Sequence, residues 1–259
     1  MLRTVVATRY ATPLREGGSV PGVVEADDDG LYVVKFRGAG QGPKALVAEL
    51  IAGEIARHLG LLVPELVLVE FDAALAAGEP DPEIQEVLAR SAGRNVGLDF
   101  LPGALTFDRA VDPRPSREAA AAVVWFDGLV TNVDRTPRNP NLLSWHRRMW
   151  LIDHGAALYI HHRWRDPLEH ARRPMPQLRD HVLLPLASSI GAVDEALAGR
   201  LGRAELEAIV AAVPDEWLAP EAGLPDPAAH RRAYLEYLLA RLAPPRPFVE
   251  EADRARVAA

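Results

Sequence analysis

The sequence has no cysteine. Disulfides, thiolate nucleophiles, cysteine zinc sites and iron–sulfur clusters are therefore excluded. It has no excess of positive charge either. Twenty-nine basic residues face 36 acidic ones, for a formal charge of -7, so no overall positive field gathers phosphates. That argues against bulk binding to nucleic acid or to an anionic membrane surface. No apolar run approaches the roughly 20 residues that cross a bilayer, and the opening MLRTVVATRYATPL is too weakly apolar for a secretory signal. These absences read as a cytoplasmic protein with no membrane insertion. What is present is ordinary for a globular chain: 49% apolar and 25% charged residues over 259 positions, enough for one large domain or two small lobes around a cleft.

Lysine is nearly missing. Positive charge is written as 27 arginines, with Lys35 and Lys44 the two exceptions. Codon bias explains most of the skew. A lysine kept against that bias marks a place where a compact ammonium serves and a planar guanidinium does not.

Leu31–Phe36 (LYVVKF) is short, β-branched and aromatic, and it follows the acidic turn Asp27-Asp28-Asp29-Gly30. It predicts the second strand of a hairpin whose first strand covers 19–25. Ala45 to Leu59 predicts a helix, with Val47, Leu50, Ile51, Ile55 and Leu59 at three- and four-residue spacing and Gly60 as the stop. Leu66–Phe71 predicts another strand, so the first hundred residues read as a small sheet crossed by one helix. Residues 73–82 predict a loop or short helix, and 95–104 an extended connection between lobes. Further on, 118–130 reads as a helix, and 142–143 and 149–152 as short strands around a turn at 145–148. Residues 176–186, 193–199, 203–213 and 227–242 read as helices, and 250–259 as a charged, frayed end.

The constellation with chemical content is Asn132-Val133-Asp134-Arg135-Thr136-Pro137-Arg138-Asn139-Pro140-Asn141-Leu142-Leu143, followed by Leu151-Ile152-Asp153-His154-Gly155. Moving a phosphoryl group requires a carboxylate beside the incoming hydroxyl. It also requires a carboxylate and an amide oxygen to hold magnesium, and a cation on the phosphates. Asp134, then Asn139, then Asp153 at a strand end can supply the oxygens. Lys35, on a strand far upstream, can supply the cation. Other readings are weaker. Gly38–Lys44 has no GxxxxGK[ST], and the histidines at 154, 161, 162 and 170 match no zinc spacing. A pyridoxal-phosphate enzyme would need a much larger domain. Asp127 reads as a structural acid on a helix, and Arg135 either binds a phosphate or pairs with an acid.

NVDRTPRNPNLL and LIDHG resemble the HipA-like kinases and, more distantly, the phosphatidylinositol kinases and eukaryotic-like protein kinases. The shared pattern is a catalytic Asp, an Asn five residues on, and a metal-binding Asp about twenty residues further. Tyr32-Val33-Val34-Lys35-Phe36 is similar to the family strand whose lysine contacts the nucleotide phosphates. Ala48-Glu49-Leu50 with His58–Glu65 is similar to its helix and the Gly and Pro that close it. Gly17–Gly22, including Gly18 and Ser19, falls where the family has a loop covering the phosphates, although no GxGxxG is present. The resemblance spans roughly residues 15 to 165.

The resemblance implies an α+β, two-lobed protein-kinase-like fold. A small β-rich N-lobe (1–97) binds the nucleotide phosphates, and a mainly helical C-lobe (98–259) carries the catalytic loop and metal site. It implies ATP and Mg2+ as cofactors and a hydroxyl-bearing acceptor, a protein Ser/Thr or a small molecule. Asp134 would be catalytic. Asn139 and Asp153 would bind metal, with Asn141 in place of Asn139 if the loop carries a two-residue insertion. Lys35, Glu49, Gly18 and Ser19 would bind the nucleotide. Family spacing to Gly60 selects Glu49 as the lysine's partner, whereas a helical wheel brings Glu54 nearer the apolar stripe. Ser19 is also a candidate for self-phosphorylation. The alternative function is a nucleotide-binding pseudokinase that acts as a regulatory or interaction module.

Overall fold

A computed structural model describes residues 2–14, 20–40, 42–108 and 114–258. In the first hundred residues, short β-branched runs form β1 (Arg3–Pro13), β2 (Gly22–Ala26), β3 (Leu31–Lys35), β4 (Leu66–Phe71) and β5 (Gly93–Asp99). The expected small sheet is a closed barrel in the order β1-β2-β3-β5-β4. The parallel pairing of β1 with β4 closes the ring, and every other pairing is antiparallel. The β2–β3 hairpin turns through the acidic run as expected, with Asp29 in the left-handed region. β1 was not expected. Only Val5 and Ala7 of it are buried while Val6 stands exposed, so its apolar signal is thin.

Alternation sets the two faces of the barrel wall. Tyr32, Val34, Phe36, Val67, Val69 and Phe71 fill the interior. Leu66, Leu68, Val96 and Leu98 pack outward in the same core as α1 (Pro43–His58). Gly97 lines the interior at a tight point, where an added Cβ would sit 2.6 Å from a Val69 methyl. A helix not expected from sequence, α2 (Pro82–Ala89), starts where the Asp81 carboxylate accepts from the N–H groups of Glu83 and Ile84. The extended run expected as a connection begins inside β5, which continues past residue 97 to Asp99.

The chain then forms β6 (Leu105–Thr106), α3 (Arg117–Val130), β7 (Leu142–Trp145) and β8 (Arg148–Leu151), with a three-stranded sheet in the order β6-β7-β8. The helices α4 (Pro167–Ala171), α5 (Gly191–Ala198), α6 (Arg203–Ala211), α7 (Pro227–Leu242) and α8 (Pro247–Ala258) complete it. The helix expected over 176–186 is instead two short 3-10 turns, Pro176–Asp180 and Leu184–Leu186. Pro185 removes a donor there and disfavours helix in the residue before it. The end expected to fray is helical, because Phe248 is fully buried against α3. An added Cβ on Gly128 of α3 would sit 2.5 Å from the Phe248 ring, so the two helices meet at a glycine.

One apolar cluster fills the barrel. A second, larger one runs without a break from the outer faces of β4 and β5 through α1 into α3 and α5 to α8. The helix of the first hundred residues therefore shares its core with the helical half. Among the described residues no helix is long and apolar enough to cross a membrane.

Candidate active site

Lys35 ends β3 opposite Val96 of β5, on the outer side of the barrel wall. Its neighbours Val34 and Phe36 point inward, so alternation alone sends Lys35 toward α1. There its ammonium meets the Glu49 carboxylate at 2.6 Å and also pairs with Asp153 Oδ1. Glu49 is fully buried, whereas the Asp153 side chain is 39% exposed. Burial opposes the charged form of Glu49, but Lys35 and the hydrogen bonds from His154 outweigh it and hold the carboxyl well below its usual range. For Lys35, burial opposes the ammonium, and Glu49 and Asp153 more than offset that, so its pKa is raised.

Asp153 follows β8 by two residues and lies in the left-handed region, with φ 55°. That turn presents the next residue to Glu49: the His154 N–H donates to Oε2 at 2.7 Å, and His154 Nδ1 lies 3.2 Å from Oε1. Glu54 is elsewhere, paired with Arg57 at 2.8 Å. The helical wheel misleads here because α1 is buried on nearly all sides, so its apolar stripe marks no single face.

Asp134 sits on the loop after α3. Its Oδ2 accepts from the side-chain amides of Asn139 at 2.8 Å and Asn141 at 3.2 Å, and its own N–H donates to Asn132 Oδ1. Asn139 is exposed. Asn141 is buried, and its carbonyl accepts from the N–H of Ile152, the residue before Asp153. A cavity of about 470 Å³ opens beside Asp134 and is lined by Val133, Ala156, Tyr159 and His162. Gly18 and Ser19 lie outside the described residues.

A buried cation between two carboxylates and a separate carboxylate on a polar loop are gathered here from residues up to 118 positions apart. The family model for HipA-like kinase matches residues 8–246. The chain belongs to the HipA-like kinase family. Among solved structures it is similar to the Helicobacter pylori proinflammatory kinase CtkA, with a TM-score of 0.54 over 98% of this chain and 99% of that one. Identity is 14%, so that likeness concerns the fold alone. No curated protein matches the sequence.

In this HipA-like kinase the loop that carries Asp134 is held from below by a buried hub that the sequence reading only half saw. Asp127 on α3 is fully buried and pairs with Arg135 at 2.6 Å. It also accepts from Asn132 and contacts His181 Nε2, both at 2.9 Å. Arg135, just as buried, reaches over to the carbonyls of Asn141 and Ile152. Of its two sequence readings, pairing with an acid is the one observed. Burial raises the Asp127 pKa, and Arg135 and His181 overcome this and leave it well below the usual carboxylate range.

Lys44, the second lysine, opens α1 and donates to the His161 carbonyl and to Glu221 at 2.9 Å. This ties the start of the helix that bears Glu49 to the helical half. Its scarcity marked it in the sequence; its partners, 117 and 177 residues away, could not be read there. Tyr159 carried no signal in the sequence; His154 stood in the LIDHG motif, and His162 stood out only as a histidine without zinc spacing.

Proposed function

We propose that this HipA-like kinase transfers the γ-phosphoryl group of ATP to a hydroxyl acceptor, a protein Ser/Thr or a small molecule, in a magnesium-dependent reaction within the cytoplasm. The observation that carries this reading is the double ion pair of Lys35 with Glu49 and Asp153. It sets an oriented ammonium beside a part-exposed carboxylate, the pairing that phosphoryl transfer uses on a nucleotide.

Lys35, steered by Glu49, neutralises phosphate oxygens. The donor set fits magnesium, a hard cation that takes oxygen ligands. Asp153 offers a carboxylate and Asn141 an amide oxygen, since the Asn141 amide nitrogen is engaged by Asp134. We assign that role to Asn141 over Asn139 because Asn141 is fixed to the residue before Asp153. Bound magnesium would offset charge on the phosphates. Asp134 keeps one oxygen free of the two asparagines. That oxygen accepts the acceptor's proton as the hydroxyl oxygen bonds to the γ-phosphorus and the bond to the bridging β–γ oxygen breaks, releasing ADP. The cavity beside Asp134 is where the acceptor enters.

The test is a thermal-shift titration with ATP, with and without magnesium, on wild type, Asp153→Ala, Asn141→Ala and Asn139→Ala. A ligand at a hundred times its Kd stabilises by about 2.7 kcal/mol. The expected shift needs magnesium, is lost in Asp153→Ala and Asn141→Ala, and survives in Asn139→Ala. No shift in wild type would overturn the reading. A shift without transfer of labelled phosphate to any acceptor would leave a nucleotide-binding module.

A further inference from the structure

Away from Lys35 and Asp134, a second cavity of about 380 Å³ opens between the start of α3, the β7–β8 turn and the segment that follows α1. Its walls combine two chemistries. Leu61, Leu62, Val123, Met149 and Leu151 are apolar, while Arg114, Arg147 and Arg148 bring three guanidinium groups. Among the described residues no carboxylate lines it. The arginines come from two segments more than thirty positions apart in the chain, so their convergence is a product of the fold.

Elsewhere in the molecule arginines are mostly spent on acids: Arg3, Arg9, Arg37, Arg57, Arg94, Arg231 and Arg246 each hold an ion pair. Among the described residues, the side chains of Arg114, Arg147 and Arg148 have no hydrogen bond or ion pair. In a chain of net charge -7, three unpaired arginines around one cavity run against the balance of the rest. The first turn of α3, capped by Ser116, opens on the same space and adds its positive end.

We infer that this cavity binds an organic phosphate monoester. The guanidinium fork matches phosphate oxygens in a way that a lysine ammonium does not. The apolar wall excludes a bare inorganic anion as the best occupant, because it offers burial only to a ligand with an apolar body. The cavity is also larger than one phosphate group needs. The site has a route to the rest of the molecule. Leu151 on its wall donates its N–H to the Leu62 carbonyl at 2.7 Å, and Asp153 follows two residues later. The inference stands on the cavity and its arginines and does not depend on the proposed reaction.

Isothermal titration with phenyl phosphate tests it, with inorganic phosphate as the second probe. Wild type is expected to bind phenyl phosphate saturably and about tenfold more tightly than inorganic phosphate, the gain coming from ring burial. The exposed pair Arg147→Gln/Arg148→Gln should lose at least about tenfold in affinity, and Arg114→Gln alone should weaken it too. Arg172→Gln/Arg232→Gln removes the same charge from arginines outside the cavity and should bind as wild type does. Absence of saturable binding in wild type would overturn the inference. So would equal loss in the two double variants, which would reduce the effect to net charge. A capped phosphotyrosine amide that binds more tightly than phenyl phosphate places the monoester on a peptide. One that binds more weakly places it on a free small molecule. Both uphold the site.

Discussion

The backbone N–H of His154 and the ammonium of Lys35 bind the same oxygen of Glu49, at 2.7 and 2.6 Å. One buried carboxylate thus fixes two things at once: where the strand lysine points, and where the chain turns after Asp153. Glu49 can do this because α1 lies between the barrel wall and the helical half, within the core common to both.

Glu49→Gln is therefore expected to destabilise the protein by ~3 kcal/mol, because removing one partner leaves a buried charge poorly compensated. The surface pair Glu54–Arg57 predicts a contrast, with Glu54→Gln changing stability by less than ~0.5 kcal/mol. Urea denaturation of both variants decides between the two glutamates as the lysine's partner. Similar midpoints would refute the assignment.

Acid should act through the same groups. The Glu49 and Asp127 carboxyls sit below their usual range in the folded chain. Unfolding then raises their pKa toward ~4, so the unfolded state takes up protons first as pH falls. Their stabilisation is complete above the unfolded values and is lost as pH drops through ~4 toward the folded ones. Lys35 has the opposite sign. Its contribution is complete below the unfolded lysine value near 10.4 and disappears as pH rises through the raised folded one. Stability measured in urea from pH 3 to 7 should fall on acidification, and less steeply in Glu49→Gln. A slope equal to wild type in that variant would show that Glu49 is not linked to acid unfolding.

The Asp127–Arg135 pair tests whether the loop is held by charge or by packing. Asp127→Leu leaves a buried guanidinium without its acid and should cost ~3–5 kcal/mol. Combining it with Arg135→Met removes both charges and should recover part of that loss, because the two sites are in contact and cannot be additive. Strict additivity in thermal or urea unfolding would mean that the pair contributes nothing as a pair.

Much of the site was legible because its signals are local. The alternation of Tyr32, Val34 and Phe36 around Lys35 needs only a strand, and the order of Asp134 and Asp153 is a matter of spacing along the chain. Family spacing to Gly60 selected Glu49, the residue found paired with Lys35, whereas the helical wheel brought Glu54 nearer the apolar stripe. A helical wheel assumes one buried face, and α1 is buried on most of its circumference. The proposed preference for Asn141 over Asn139 rests on a backbone bond to Ile152 across a hairpin, which spacing alone does not contain.

The sequence by itself thus determined most of the element types, the charged residues with chemical content and the kinase-like order in which they occur. Only the tertiary structure decided that β1 pairs with β4 to close the barrel, that Arg135 serves Asp127, and that Lys44 reaches Glu221. The tertiary structure also turned the charged end into a packed helix on Gly128. The physical reason is the same in each case. Strand closure, buried ion pairs and helix docking join residues far apart in the chain, and their free energy comes from desolvation and packing that no local window of sequence contains.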